Sequence, residues 1–193
     1  MPGTTRTFVA VEMPGPVQSE LQRLQDQLGR EVPGVRWVGA ATGFHLTLAF
    51  LGNVPDTDLE AVCRAIEAGA APFGPLTLRL EGLGAFPKPA RPRVVWAGLG
   101  GPGMAVLGEL QRSLVAALKR VRHAPEDDRF HPHVTLGRIP EGRGRPPDLT
   151  GPFRRVGAVV GPYFEVSEVT VFASWLSPSG PSYTPLARAL LKG

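Results

Sequence analysis

The sequence predicts an α+β fold, with two pseudo-symmetric halves whose largely antiparallel sheets form a central groove and whose helices lie outside. Three observations lead there. Strand-like runs rich in β-branched and aromatic residues are interspersed with amphipathic helical stripes, without the continuous alternation of buried strands and helices that a parallel sheet shows. The order of elements in residues 1–90 is broadly matched in residues 91–193, which gives two approximate lobes within one two-lobed unit. A tetrapeptide of unusual composition occurs once in each lobe.

RTFVAVEM (6–13) opens as a strand. Pro16 then starts a helix that places Val17, Leu21, Leu24 and Leu28 on one stripe and stops at Gly29. VRWVG (35–39) and FHLTLAFLG (44–52) read as strands. Thr57 and Glu60 have capping-box spacing ahead of Leu59, Val62, Cys63 and Ile66 at helical intervals. LTLRLEGLGAF (76–86) and PRVVWAGL (92–99) are strand-like, and Leu107, Leu110, Leu114, Leu118 and Val121 mark a helix from Met104. HVTLGRI (133–139) is a strand, the Pro/Gly/Arg-rich stretch 140–162 a loop with at most a short helical turn, and YFEVSEVTVFASWL (163–176) a single long strand.

At 42% apolar and 20% charged residues the 193-residue chain has a globular composition and is long enough for a substantial core. Its 24 glycines and 21 prolines imply many tight turns. A formal charge of +4 is compatible with a polyanionic partner without requiring one. The single cysteine, Cys63, excludes an internal disulfide and fits a reducing compartment. With no apolar run of membrane-span length and no signal-peptide pattern, the expectation is a soluble cytoplasmic protein without a membrane partner. No long heptad or apolar stripe asks for a second copy, so a monomer is expected.

In FHLTLAFLG, strict alternation places His45 and Thr47 on one face, opposite Phe44, Leu46, Leu48 and Phe50. His45-Leu46-Thr47-Leu48 is matched by His133-Val134-Thr135-Leu136, 88 residues later (133 − 45). Singly, either histidine is as readily a core histidine satisfied by a neighbour. Two of only four histidines in one repeated setting point instead to an internal duplication, which would bring both His-Thr faces to one groove. Imidazoles titrating near neutral pH supply a base and an acid, and stiff threonine hydroxyls supply donors, a set suited to a tetrahedral phosphodiester without a metal. His131 and His133, with Asp127 and Asp128 nearby, invite a metal reading, but no second cysteine joins them and acids are commonplace in such a turn; no metal and no cofactor are expected.

These motifs resemble the two-histidine phosphoesterase superfamily and, within it, the RNA 2′,3′-cyclic phosphodiesterases, also called 2′-5′ RNA ligases. The similarity runs through TFVAVEMP, RWVGAATGFHLTLAFLG, PRVVWAGL, RFHPHVTLGR and SWLSPSGPSYTPL in order. Trp175, in SWLSP, stands where the resemblance leads one to expect a basic residue. The resemblance implies hydrolysis of RNA 2′,3′-cyclic phosphate ends to 2′-phosphomonoesters, tRNA fragments being one source of such ends, with a 2′-5′ joining reaction on the same groups. By analogy His45 is the proton donor to the leaving oxygen and His133 the acceptor from water. Thr47 and Thr135 would hold the phosphate. Arg138 would join them only if a bend at Gly137 redirects it, since five residues on a regular strand put it on the face away from His133.

Other residues carry two readings. Lys88, Arg91, Arg93, Arg143, Arg145, Arg154 and Arg155 are solvated charges or guides for an RNA backbone. Trp37, Phe44 and Phe130 are core aromatics or base-stacking faces, and Tyr183 lies in a turn that could rim the groove. His123 is expected at the surface near a helix end, and His131 at the entry to its strand. The alternative function is a non-catalytic module of the same fold that holds a nucleotide or RNA end; the two intact motifs favour the enzyme.

Overall fold

The computed structural model describes residues 3–39, 43–127, 129–140, 146–177 and 180–193. Among these residues, nine strands and four helices follow in the order β1 (Thr4–Glu12), α1 (Gly15–Gly29), β2 (Arg36–Trp37), β3 (His45–Pro55), α2 (Leu59–Ala70), β4 (Leu76–Phe86), β5 (Val94–Gly100), α3 (Met104–Arg120), β6 (His133–Arg138), α4 (Thr150–Val156), β7 (Val160–Val166), β8 (Glu168–Ser177) and β9 (Gly180–Leu190). All ladders are antiparallel, in one sheet ordered β7-β4-β5-β6-β3-β1-β8-β9 with β2 added on β6. The mixed α+β architecture with antiparallel pairing is the predicted one.

The sheet curls. β7 lies at one end of the strand order and β8 next to the other end, yet a single residue, Ser167, joins them. A residue spans at most ~3.6 Å, so the two ends must approach each other. This junction also corrects the single strand read over 163–176: its alternation is continuous in sequence, but its first part pairs with β4 and its second with β1. The order is interleaved, β4 lying beside β5 and β8 beside β1, so a cut near residue 90 does not separate the two sides of the sheet.

The centre of the order is the β6–β3 junction, flanked on one side by β5 and β4 and on the other by β1 and β8. The helices bury their apolar stripes against one face of the sheet, where Val17, Leu21, Leu24 and Leu28 of α1 and Leu107, Leu110, Leu114 and Leu118 of α3 share a core with Leu46, Leu48, Val134 and Leu136. The opposite face carries a smaller cluster of Phe8, Ala10 and Phe172 with Tyr183 against it. Thr57 makes no cap; its hydroxyl bonds the Asp58 carboxylate, and a 3-10 turn over Asp56–Asp58 leads into α2.

Two bulges redirect side chains. Between β1 and β3, Val9 pairs with Ala49 and Ala10 with Thr47, leaving Leu48 as the extra residue. Phe50 consequently leaves the core face on which strict alternation put it and stands 45% exposed, with its ring 6.0 Å from Phe8. Between β5 and β6, Val95 pairs with Gly137 and Trp96 with Thr135, leaving Leu136 over.

Candidate active site

β3 and β6 share one ladder pair, Leu46 with Val134. In an antiparallel register that pairing sets His45 opposite Thr135 and Thr47 opposite His133, all four on the face away from the buried Leu46 and Val134. Opposite residues have Cβ atoms about 5 Å apart and diagonal ones about 7–8 Å. The two imidazoles therefore occupy one diagonal of a small patch and the two hydroxyls the other. The centre of the patch thus has an imidazole at two opposite corners and a hydroxyl at the other two.

Each histidine is held by the same device. His133 Nδ1–H donates to the carbonyl of His131, two residues upstream, at 2.6 Å. A carbonyl only accepts, so Nδ1 carries the hydrogen and Nε2 is left for the groove. His45 is hydrogen-bonded to the backbone of Gly43, also two residues upstream. The rings are walled by aromatics: His45 meets Tyr183 edge-on at 5.3 Å and Phe8 at 5.3 Å, and His133 meets Phe86 edge-on at 5.0 Å and Trp96 at 6.1 Å.

Burial lowers the pKa of His45 to about 4, the positive charges of Arg138 and His133 adding to the effect while the Gly43 hydrogen bond opposes it. Burial also lowers His133, with Arg138 and His131 adding and the His131 carbonyl opposing. Both shifts favour the neutral imidazole at pH 7. Burial raises the Tyr183 phenol, against the cations Arg138 and Arg6.

Arg138 is on the groove face. The bulge at Leu136 supplies the redirection that alternation alone denied it, and its charge acts on His45, His133 and Tyr183. Gly137 permits this: a Cβ there would lie 2.6 Å from Val35 Cγ1 and 2.8 Å from Trp37 Cε3, because β2 lies across it. The Leu136 carbonyl accepts from Val38 N–H at 2.9 Å and from the buried Gln25 amide at 2.7 Å, which fixes the bulge.

The remaining candidates divide. Trp37 packs outside the groove against Gly29 and Gly137, and Phe44 is buried in the core. Phe130 lines a cavity of about 510 Å³ that opens beside Thr47 and His133. Arg155 pairs with Glu31, and Arg143, Arg145 and Asp128 lie outside the described residues. His123 lies against the start of α2, bonded to Asp58 at 3.0 Å. His131 stands at the entry to β6 and orients His133 through its carbonyl. Among the described residues, no three His, Cys, Asp or Glu side chains cluster as a set that could hold one metal ion, and no helix is long and apolar enough to cross a membrane. Sequence reasoning missed Phe8, Phe86, Trp96 and Phe172, which face the groove; aromatic residues in strands look alike whichever face they take.

An antiparallel, curled sheet that presents two neutral imidazoles and two hydroxyls around one anion-sized patch defines the class, a phosphoesterase. The family model for LigT-like phosphoesterases matches residues 11–96 and 102–183, and the chain belongs to that family. It is 36% identical to an RNA 2′,3′-cyclic phosphodiesterase of Aeropyrum pernix over 166 residues, covering 86% of this chain and 92% of that one. It is 33% identical to the protein of that name from Methanothermobacter thermautotrophicus, covering 94% and 96%. A crystal structure of a Thermus thermophilus protein superposes with a TM-score of 0.79 at 30% identity over 97% of this chain and 98% of that one. Escherichia coli LigT complexed with 3′-AMP superposes at 0.73 with 28% identity over 99% of each.

Proposed function

We propose that the protein hydrolyses RNA 2′,3′-cyclic phosphate ends to 2′-phosphomonoesters by acid–base catalysis between His45 and His133, without a metal. The observation that carries this reading is the diagonal placement of the two imidazoles about the single Leu46–Val134 pair. Water is deprotonated by His133 as it attacks phosphorus; the bond to the 3′-oxygen breaks, and His45 delivers a proton to that oxygen. Thr47, Thr135 and Arg138 hold the non-bridging oxygens and favour the charge that develops on them. The anion also raises the pKa of His45, which lets it arrive protonated. With an RNA 5′-hydroxyl in place of water, the same groups form a 2′-5′ linkage. A single cysteine fits a cytoplasmic setting for this work.

The test is turnover of an oligoribonucleotide 2′,3′-cyclic phosphate in excess EDTA with identification of the product. Full activity and a 2′-phosphate are expected. His45→Ala and His133→Ala should each lose at least ~100-fold in kcat. Loss of activity in EDTA, a 3′-phosphate product, or an active histidine variant refutes the scheme.

One observation favours exchanged roles for the two histidines. His45 is the one pushed as low as about 4, so the first proton taken up by the free enzyme goes to His133. A substrate with sulfur at the leaving position separates the two assignments, because a thiolate departs without an acid. It should rescue only the variant lacking the donor, which is His45→Ala in the scheme above and His133→Ala in the exchanged one.

A further inference from the structure

Arg138 pairs with Val94 of β5 on one edge of β6 and with Arg36 of β2 on the other. Opposite residues of an antiparallel ladder share a face, so Arg36 stands beside Arg138 on the groove face. The next pair, Trp37 with Gly137, turns the other way, and Trp37 occupies the space where a Gly137 Cβ would lie. β3 lies on that same edge of β6, at Leu46–Val134, so Arg36 continues the row that His45 begins opposite Thr135. Thr135 and Arg138 are three residues apart (138 − 135), at most about 10 Å along the strand.

Two guanidiniums thus face each other from Cβ atoms about 5 Å apart, an arrangement that repels. Among the described residues, neither one pairs with a carboxylate. On the outer strands of the sheet the same face neutralises its arginines: Arg79 of β4 meets Glu81 at 2.7 Å, and Arg188 of β9 meets Glu12 at 2.8 Å. Arg36 and Arg138 are both exposed. A planar guanidinium fork matches a phosphate, and an anion between two such forks removes their repulsion. A single phosphorus at the histidine patch engages the nearer arginine, Arg138, and leaves Arg36 for a second phosphate. We propose that Arg36, together with Arg138, holds the phosphate on the 5′ side of the terminal nucleotide, so that the enzyme favours a cyclic end carried by an RNA chain over a free cyclic nucleotide. This rests on the phosphodiesterase reading above.

The experiment compares two adenosine 2′,3′-cyclic phosphates, one with a methyl phosphodiester on its 5′-oxygen and one with the uncharged methylphosphonate ester of the same shape. The wild type should prefer the anion by roughly 10- to 100-fold in kcat/KM, carried by KM, the range for hydrogen bonds to a charged group. That preference should shrink as salt is added. Arg36→Gln should bring the ratio of the two substrates close to one, whereas Arg36→Lys, which keeps the charge without the fork, should retain part of it. A wild-type ratio near one overturns the proposal without any variant. A ratio unchanged in Arg36→Gln assigns the preference to another cation and overturns it as well. Turnover of neither compound removes the phosphodiesterase reading instead, and calorimetric binding of the same two compounds then decides the subsite by the same comparison.

Discussion

Acidification should destabilise this protein through His45 in particular. Its folded pKa of about 4 lies below the ordinary value of 6.5, so the unfolded chain binds the proton more readily between those limits. A group depressed in this way contributes its full stability above the unfolded value and loses it as pH falls from about 6.5 toward 4. At pH 4.5 the two values correspond to a loss of about 2.5 kcal/mol relative to pH 7, an order-of-magnitude figure. His45→Gln cannot bind that proton and should escape this part of the loss. The assay is urea denaturation of both proteins at pH 7 and pH 4.5. With slopes of ~1–3 kcal/mol/M, the wild-type midpoint should fall by roughly 1 M more than that of the variant. His133 and the carboxylates titrate in both proteins and largely cancel in the difference. Equal falls would show that His45 is not held neutral by burial and would remove the basis for its place in the groove.

Three further perturbations test the shell around the patch. A Cβ on Gly84 would sit 2.6 Å from Trp96 Cε2 and overlap the adjacent ring carbons; Gly84→Ala should cost about 1–3 kcal/mol, lower Tm by roughly 2–12 °C in calorimetry, and reduce activity because Trp96 and Phe86 flank His133. Arg138→Ala removes a cation that depresses both histidines, so the acid limb of the pH–rate profile should move to higher pH while KM rises; an unmoved limb contradicts the placement. Gln25→Leu withdraws a buried donor from the Val38 and Leu136 carbonyls, and denaturant titration should show a loss of about 1–3 kcal/mol.

Those perturbations mark the boundary between what the sequence makes legible and what only the fold supplies. His45, Thr47, His133 and Thr135 are legible because a period of two places each pair on one face and because the motif occurs twice. The stripes of α1 and α3 are legible for the corresponding reason at a period of 3.6. Arg138 and Phe50 were not, since each depends on one residue inserted into one ladder, and a single inserted residue moves everything after it to the other face. No local signal in VTLGR announces that Leu136 will be the extra residue; its partners are Gln25 and Val38, 111 and 98 residues away (136 − 25 and 136 − 38). The cavity beside Thr47 and His133 is less legible still, because its lining comes from β3, the end of β4, α3 and the residues leading into β6. The duplicated motif can therefore be read off the chain, but what borders its patch depends on four separate segments meeting beside Thr47 and His133, which no one stretch of sequence announces.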